Sequence, residues 1–261
     1  MNAELLIMFT LDCDRAYLYA HPERELTAED LARCDEALAR RATGVPAQYI
    51  TGHQEFWGLD FIVSPAVLIP RPETEHVVEA VLELAKADGR GHQLRIVDVG
   101  TGSGAIALAL AKELPTAEIH ATEISPEALD VARANAARHE LASRIVFHET
   151  DLLNGLPSAS FDIAVSNPPY VGESEEDSVQ LEVRKFEPRN AVFAGPTGVE
   201  VIERLIPQAR AALAPEGWLV FEISGTIADR VRSLLLSWDE VEIRNDLQGI
   251  ARVAIARKAN P

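Results

Sequence analysis

From residue 94 onward, short apolar runs alternate with longer stretches of helical periodicity. Runs 94–99, 118–122, 145–149, 161–166, 218–223, 241–245 and 252–256 read as strands, and helices fill 103–114, 126–139, 199–214 and 227–236. This alternation predicts a mostly parallel sheet covered by helices on both faces. Only Asp246-Leu-Gln-Gly249 separates the last two runs, so they are expected to form a hairpin, with an antiparallel strand at that end of the sheet.

The first fifty residues follow a different pattern. Leu5, Leu6, Phe9 and Leu11 recur at helical spacing. Thr27 is a good N-cap, with Asp30 three residues on in an approximate capping box. Leu31, Cys34, Ala37, Leu38 and Arg41 continue that helix until Gly44 and Pro46 end it. Residues 1–50 are therefore expected to form a small helical domain. In residues 51–75, two β-like runs, 54–56 and 59–64, flank Trp57-Gly58 as a hairpin, and Pro65, Pro70 and Pro72 punctuate a link. A helix carrying Val77, Val78, Val81, Leu82 and Leu84 then opens a larger α/β domain, 76–261.

Composition narrows the classes. With 47% hydrophobic and 25% charged residues in 261, the chain reads as a soluble globular protein able to bury a large core. Its two cysteines, Cys13 and Cys34, form no metal or disulfide pattern, which suits a reducing, cytoplasmic setting without a metal. No apolar run is long enough to cross a bilayer, and Met1-Asn2-Ala3-Glu4 lacks the basic start of an export signal, so neither membrane nor export is expected. Forty-one acidic against 24 basic residues give a net charge of −17. That argues against nucleic acid as a stable partner, since proteins that grip phosphate backbones present a basic face.

Two strings carry chemistry. The first, Ile96-Val-Asp-Val-Gly-Thr-Gly-Ser-Gly-Ala-Ile-Ala107, is a strand, a glycine-rich turn and a helix start. The loop Gly100, Thr101, Gly102, Ser103 and Gly104 lets a backbone approach a ligand closely, and amides at the helix start can bind it. A nucleotide-like cofactor at the carboxyl end of that strand is the expectation. Asp98 is placed to take the amino group of an amino-acid-like ligand. Glu123, ending the second strand, is placed for ribose hydroxyls; Asp151, after the third, for an adenine amino group, with Leu152 over the base. Gly100-x-Gly102-x-x-Ala105 also satisfies the dinucleotide pattern, so the loop alone does not separate a methyl donor from a nicotinamide.

The second string, Asp162-Ile-Ala-Val-Ser-Asn-Pro-Pro-Tyr170, decides between them. An amide nitrogen is a poor nucleophile because its lone pair is delocalised. The Asn167 side-chain oxygen and the Pro168 carbonyl can accept from its two N–H bonds, orient it and stabilise the charge that grows on nitrogen. Pro168 and Pro169 stiffen the corner, and Tyr170 is expected to lay a flat face on the planar substrate. Asn-Pro also opens ordinary turns; its place after a strand, near the glycine loop, favours the catalytic reading. His53, His120 and His148 read as structural or solvated groups rather than bases.

Asn167-Pro-Pro-Tyr170, the Gly100–Gly104 loop and the link Ile69-Pro-Arg-Pro-Glu-Thr-Glu75 together resemble the HemK-type (PrmC-like) release factor glutamine methyltransferases. Pro46-Ala-Gln-Tyr-Ile-Thr-Gly52, Glu55-Phe-Trp-Gly58 and Val183-Arg-Lys-Phe-Glu-Pro-Arg189 extend the likeness from Ala3 to Lys258. The resemblance implies the class I S-adenosylmethionine-dependent methyltransferase fold: Rossmann-like, α/β, with a mostly parallel seven-stranded sheet and a terminal antiparallel strand behind the helical domain. It implies N5-methylation of the glutamine in the Gly-Gly-Gln loop of peptide chain release factors, by a monomer whose domain 1–50 grips the release factor. Carried over by motif, Gly100, Gly102 and Gly104 line the methionine end, Glu123 takes the ribose, Asp151 and Leu152 flank the adenine, and Asn167 and Pro168 hold the glutamine amide. Phe56, Arg71, Pro72 and Glu73 would help close the site.

This sequence departs from the family pattern in three places. The family usually has further helical sequence before the position of Asn2, so a shortened helical domain is expected; Glu123 stands where aspartate is commoner, and Leu152 where some members place an aromatic. Glutamine methylation of a ribosomal protein, adenine methylation of DNA or RNA, and non-catalytic cofactor or release-factor binding are the alternatives.

Overall fold

The structure, a computed structural model, describes residues 2–87 and 93–260; Met1, 88–92 and Pro261, which fall within the expected 1–50 and 76–261 units, lie outside the described residues. The chain opens with helices α1 (Asn2–Thr10), α2 (Arg15–Ala20), α3 (Ala28–Ala42) and α4 (Ala47–Thr51). Thr27 caps α3 in a full capping box with Asp30, and Gly44 leaves it at a positive φ of 95°. Leu31 and Leu38 of α3 are half exposed, while Ala37 packs inward with Leu6, Ala47 and Ile50.

Strands β1 (His53–Phe56) and β2 (Leu59–Ile62) pair as the antiparallel hairpin. A short 3-10 turn, Pro72–Thr74, leads into α5 (Glu75–Ala87). Then come β3 (Arg95–Val99), α6 (Ala105–Glu113), β4 (Glu118–Glu123), α7 (Pro126–Arg138), β5 (Ile145–Glu149) and β6 (Phe161–Ser166). An excursion holds the small parallel pair β7 (Val171–Gly172) and β8 (Phe193–Gly195), with α8 (Leu181–Phe186) and α9 (Arg189–Val192) between them. The chain closes with α10 (Glu200–Ala212), β9 (Leu213–Glu222), α11 (Ala228–Leu234), β10 (Asp239–Asn245) and β11 (Ala251–Arg257).

The seven-stranded sheet runs β10-β11-β9-β6-β3-β4-β5. Strands β5, β4, β3, β6 and β9 pair in parallel, and β11 runs antiparallel to both neighbours. The antiparallel strand is thus last in the chain but one place in from the sheet edge. Helix α10 ends two residues earlier than its periodicity suggests: Pro215 disfavours helical backbone at Ala214, and Leu213 is recruited into β9 opposite Phe161. Helices α5, α6 and α7 cover one face with the hairpin, and α10 and α11 cover the other. All six residues of β6 are buried, which is why central strands read as continuous apolar runs. Among the described residues no helix is long and apolar enough to cross a membrane.

Strand order reverses between β3 and β6: the chain winds from β3 to β4 and β5 on one side, from β6 to β9 on the other. At such a switch point the loops beyond the carboxyl ends diverge and leave a crevice. Both chemical strings end there.

Candidate active site

The glycine loop leaves β3 and is lashed to β4, because the amides of Gly100 and Thr101 both donate to the Thr122 carbonyl at 2.9 Å. Gly100 and Gly102 have φ of +72° and +56°, and a Cβ on either would meet nothing within 4 Å. They are glycine for backbone conformation, and they border a cavity of about 320 Å³ with Thr101 and Ser103. Gly104 differs: a Cβ there would come within 2.7 Å of Leu108 Cδ1 and against Ala132. It does not border the cavity, which corrects its expected ligand role. Gly104 is needed for packing α6 on α7.

Asp98 is fully buried beneath the loop. Its Oδ2 accepts from Thr101 Oγ1 at 2.6 Å and from the Ala107 amide at 3.1 Å, so the carboxylate braces the turn. Oδ1 is buried and has no partner among the described residues. Burial pushes this carboxyl up to about 7, against those two donors. It stands under the cavity wall rather than in it. Glu123 does border the cavity; its Oε2 accepts from Gly102 N at 3.0 Å and its Oε1 from the amides of Ile124 and Ser125 at 2.9 and 3.0 Å. Since a carboxylate has roughly four acceptor sites, Oε2 keeps one open.

Asp151 and Leu152 also border this cavity. Leu152 sits at φ +54°, a left-handed conformation rare outside glycine. Asp151 is ion-paired with Arg204 of α10, which itself reaches the wall.

Asn167, Pro168 and Pro169 border the same cavity, so the structure brings the two strings together. Asn167 Nδ2 donates to Thr74 Oγ1 at 3.0 Å, and its Oδ1 accepts nothing from the described residues. Tyr170 departs from expectation. Its ring is absent from this wall; it borders a second cavity of about 500 Å³, and its hydroxyl donates to Glu222 Oε1 at 2.8 Å. Burial beside the Glu222 carboxylate raises the Tyr170 phenol well above its ordinary range.

Arg71 and Glu73 border the second cavity too, where Arg71 pairs with the buried Glu187. Burial raises the Glu187 carboxyl, and Arg71 opposes the rise. Pro72 borders neither cavity but starts the turn that presents Thr74. Phe56 is corrected outright: 1% exposed and edge-to-face with Phe61 at 6.1 Å, it belongs to the hairpin core and reaches neither cavity. His120 stacks on His148 and meets Glu118 at 2.7 Å, away from both cavities.

Thr74, Phe193, Asn190 and Arg204 on the first wall, and Glu222 behind it, were not foreseen from the sequence. Glu222 left a trace there as an acid in the otherwise apolar run 218–223, and Thr74 as part of the link Ile69-Pro-Arg-Pro-Glu-Thr-Glu75.

Comparison with known proteins fixes the family. A model described as the PrmC N-terminal domain matches residues 1–52, and one described as the methyltransferase small domain matches 78–185. A release factor glutamine methyltransferase of Koribacter versatilis is 56% identical over 259 residues, covering 99% of this chain and 91% of that protein. This chain belongs to the release factor glutamine methyltransferases. A second member, from Geobacter sulfurreducens, is 40% identical over 98% of this chain and 89% of its own length. Among solved structures, a methyltransferase from Pyrococcus furiosus is 21% identical with a TM-score of 0.56, covering 87% of this chain and 98% of that one; this likeness concerns the fold alone. Membership makes the chain a methyltransferase.

Proposed function

We propose that the chain transfers a methyl group from S-adenosylmethionine to the side-chain nitrogen of the glutamine in the Gly-Gly-Gln loop of peptide chain release factors. The observation that carries this reading is Asn167: its Nδ2 is committed to Thr74, its Oδ1 is left open, and it stands on the same cavity wall as the glycine loop.

The residues fit the cofactor on three counts. Gly100 and Gly102 have no Cβ facing the cavity. Asp98 Oδ1 is a buried, unpaired acceptor beneath the loop, suited to an ammonium group. Glu123 keeps an acceptor site for a ribose hydroxyl, and Asp151 with Leu152 borders the remaining space for the adenine. When bound, S-adenosylmethionine supplies an electrophilic methyl on a sulfonium. The chain's own contribution is orientation. Asn167 Oδ1 and the Pro168 carbonyl accept from the two N–H bonds of the substrate amide, held in advance by the proline-stiffened corner. They also stabilise the positive charge developing on nitrogen, whose surplus proton passes to water.

Arg71, Glu73 and Tyr170 then face the second cavity as walls for the polypeptide that carries the glutamine. The helical unit 1–50 is assigned to gripping the release factor, and the enzyme is taken to act as a cytoplasmic monomer. The test is to incubate the protein with methyl-labelled S-adenosylmethionine and, separately, a purified release factor, ribosomal proteins and DNA. Label on the release factor glutamine alone is the expected result. Label on a ribosomal protein or DNA, or on nothing despite cofactor binding, overturns the proposal.

A further inference from the structure

An asparagine carboxamide can face a substrate either way round. Turned one way it presents an acceptor oxygen; turned by half a rotation it presents an NH₂, which would meet the substrate's own NH₂ donor to donor. Nothing in Asn167 itself chooses between these, so the choice must lie with its neighbours.

The neighbours form a chain. Asn167 Nδ2 meets Thr74 Oγ1 at 3.0 Å, and Thr74 Oγ1 meets Glu222 Oε2 at 2.6 Å, with Tyr170 donating to the other oxygen, Glu222 Oε1, at 2.8 Å. A hydroxyl has one proton to give. Thr74 gives it to the Glu222 carboxylate and can then only accept from Asn167, so the NH₂ of Asn167 must face Thr74 and Oδ1 must face the cavity. Burial raises the Glu222 carboxyl, while the hydroxyls of Thr74 and Tyr170 and the positive charge of Arg252 oppose the rise and favour the ionised form that this ordering needs.

The fold assembles this chain from three distant segments. Ser166 pairs with Phe221 across β6 and β9, so Asn167 emerges beside Glu222. Alternation turns both toward the face of Ile163, Val165 and Val220, where α5 packs. Thr74 lies immediately before α5 and is thereby held over both.

We propose that Thr74 and Glu222 are positioning residues, a hydrogen-bond relay that fixes the Asn167 carboxamide with its oxygen toward the substrate amide; this rests on the reading of Asn167 as the acceptor. Thr74 borders the first cavity and Glu222 the second, and the positioning role proposed for them is exercised through Asn167. It gives the proline-rich link a second use, as the carrier of the Thr74 hydroxyl.

The experiment compares Thr74→Val, Thr74→Ser and Asn167→Ala with wild type, measuring turnover on a purified release factor, S-adenosylmethionine affinity and thermal midpoint. Valine keeps the threonine shape without the hydroxyl; serine restores it. Thr74→Val is expected to lower kcat by about tenfold or more, since a misoriented group loses most of its preorganised benefit, while cofactor affinity stays within about twofold. Thr74→Ser is expected to recover to within about threefold of wild type. Undiminished kcat in Thr74→Val, a Thr74→Ser as slow as Thr74→Val, or cofactor affinity falling in step with turnover overturns the relay. If Asn167→Ala retains full turnover, the acceptor reading itself fails and the relay with it; if Asn167→Ala is inactive and Thr74→Val is not, only the relay fails.

Discussion

Asn167 and Asp98 carry opposite electrostatic tasks, and each makes a separate prediction. Losing one preorganised group that stabilises developing charge costs about 10²- to 10³-fold in kcat. Asn167→Ala should show a loss of that order, with S-adenosylmethionine affinity nearly unchanged; equal losses in both would mean that Asn167 supports the fold instead. Asp98 is raised from its ordinary 3.8 to about 7 by burial. A carboxyl with a raised value binds its proton more tightly in the folded state, so its stabilising contribution is full below about pH 4 and lost as pH rises through about 7. Without cofactor, the thermal midpoint of wild type should therefore fall relative to Asp98→Asn across that window. A constant difference between the two proteins over that range would contradict the assignment. At this scale the meeting of the glycine loop, Glu123 and Asn167 at one cavity was legible because each is part of a local string whose backbone setting the sequence announces. Gly104 was misread because the Leu108 and Ala132 it must clear lie on helix surfaces. Thr74 and Glu222 were illegible as a pair because 148 residues separate them.

The site depends on elements being held in register by a few buried polar residues. Asn135 of α7 is fully buried; its Oδ1 accepts from Ile62 N at 2.7 Å, and its Nδ2 donates to Ile62 O at 3.0 Å and Ser103 O at 2.9 Å. One side chain thus ties hairpin, helix and glycine loop together. Asn135→Ala would strand the Ile62 amide, the Ile62 carbonyl and the Ser103 carbonyl, each costing about 1 kcal/mol or more when buried. Urea unfolding should register a loss of about 3 kcal/mol; a loss below about 1 kcal/mol would mean that water or a rearranged hairpin satisfies these groups. The central strands and long helices were readable from periodicity, since burial on two faces or one imposes distinct patterns. The short elements α2, α4, α8, α9, β7 and β8 were not, because two to six residues are too few to establish a period. Phe56 was drawn toward the site by its neighbours in the chain, whereas the hairpin turns it inward onto Phe61.

The whole molecule is a class I methyltransferase sheet in which the order reversal between β3 and β6 brings two strings, some sixty residues apart in the chain, onto one cavity. That architecture was legible because strands and helices largely alternate from residue 94 onward, and because six motifs spread along the chain resemble one family. That Tyr170 borders a second cavity was not, since it depends on which way the corner at Pro168 and Pro169 turns the chain. The central claim is that an open carboxamide oxygen at position 167 captures a glutamine NH₂ for methylation. The direct measurement is peptide mass analysis of a release factor incubated with S-adenosylmethionine and either wild type or Asn167→Ala. One added methyl on the Gly-Gly-Gln glutamine with wild type, and almost none with a variant that still binds the cofactor, is the predicted result; equal methylation by the variant, or a methyl on any other residue, would contradict it.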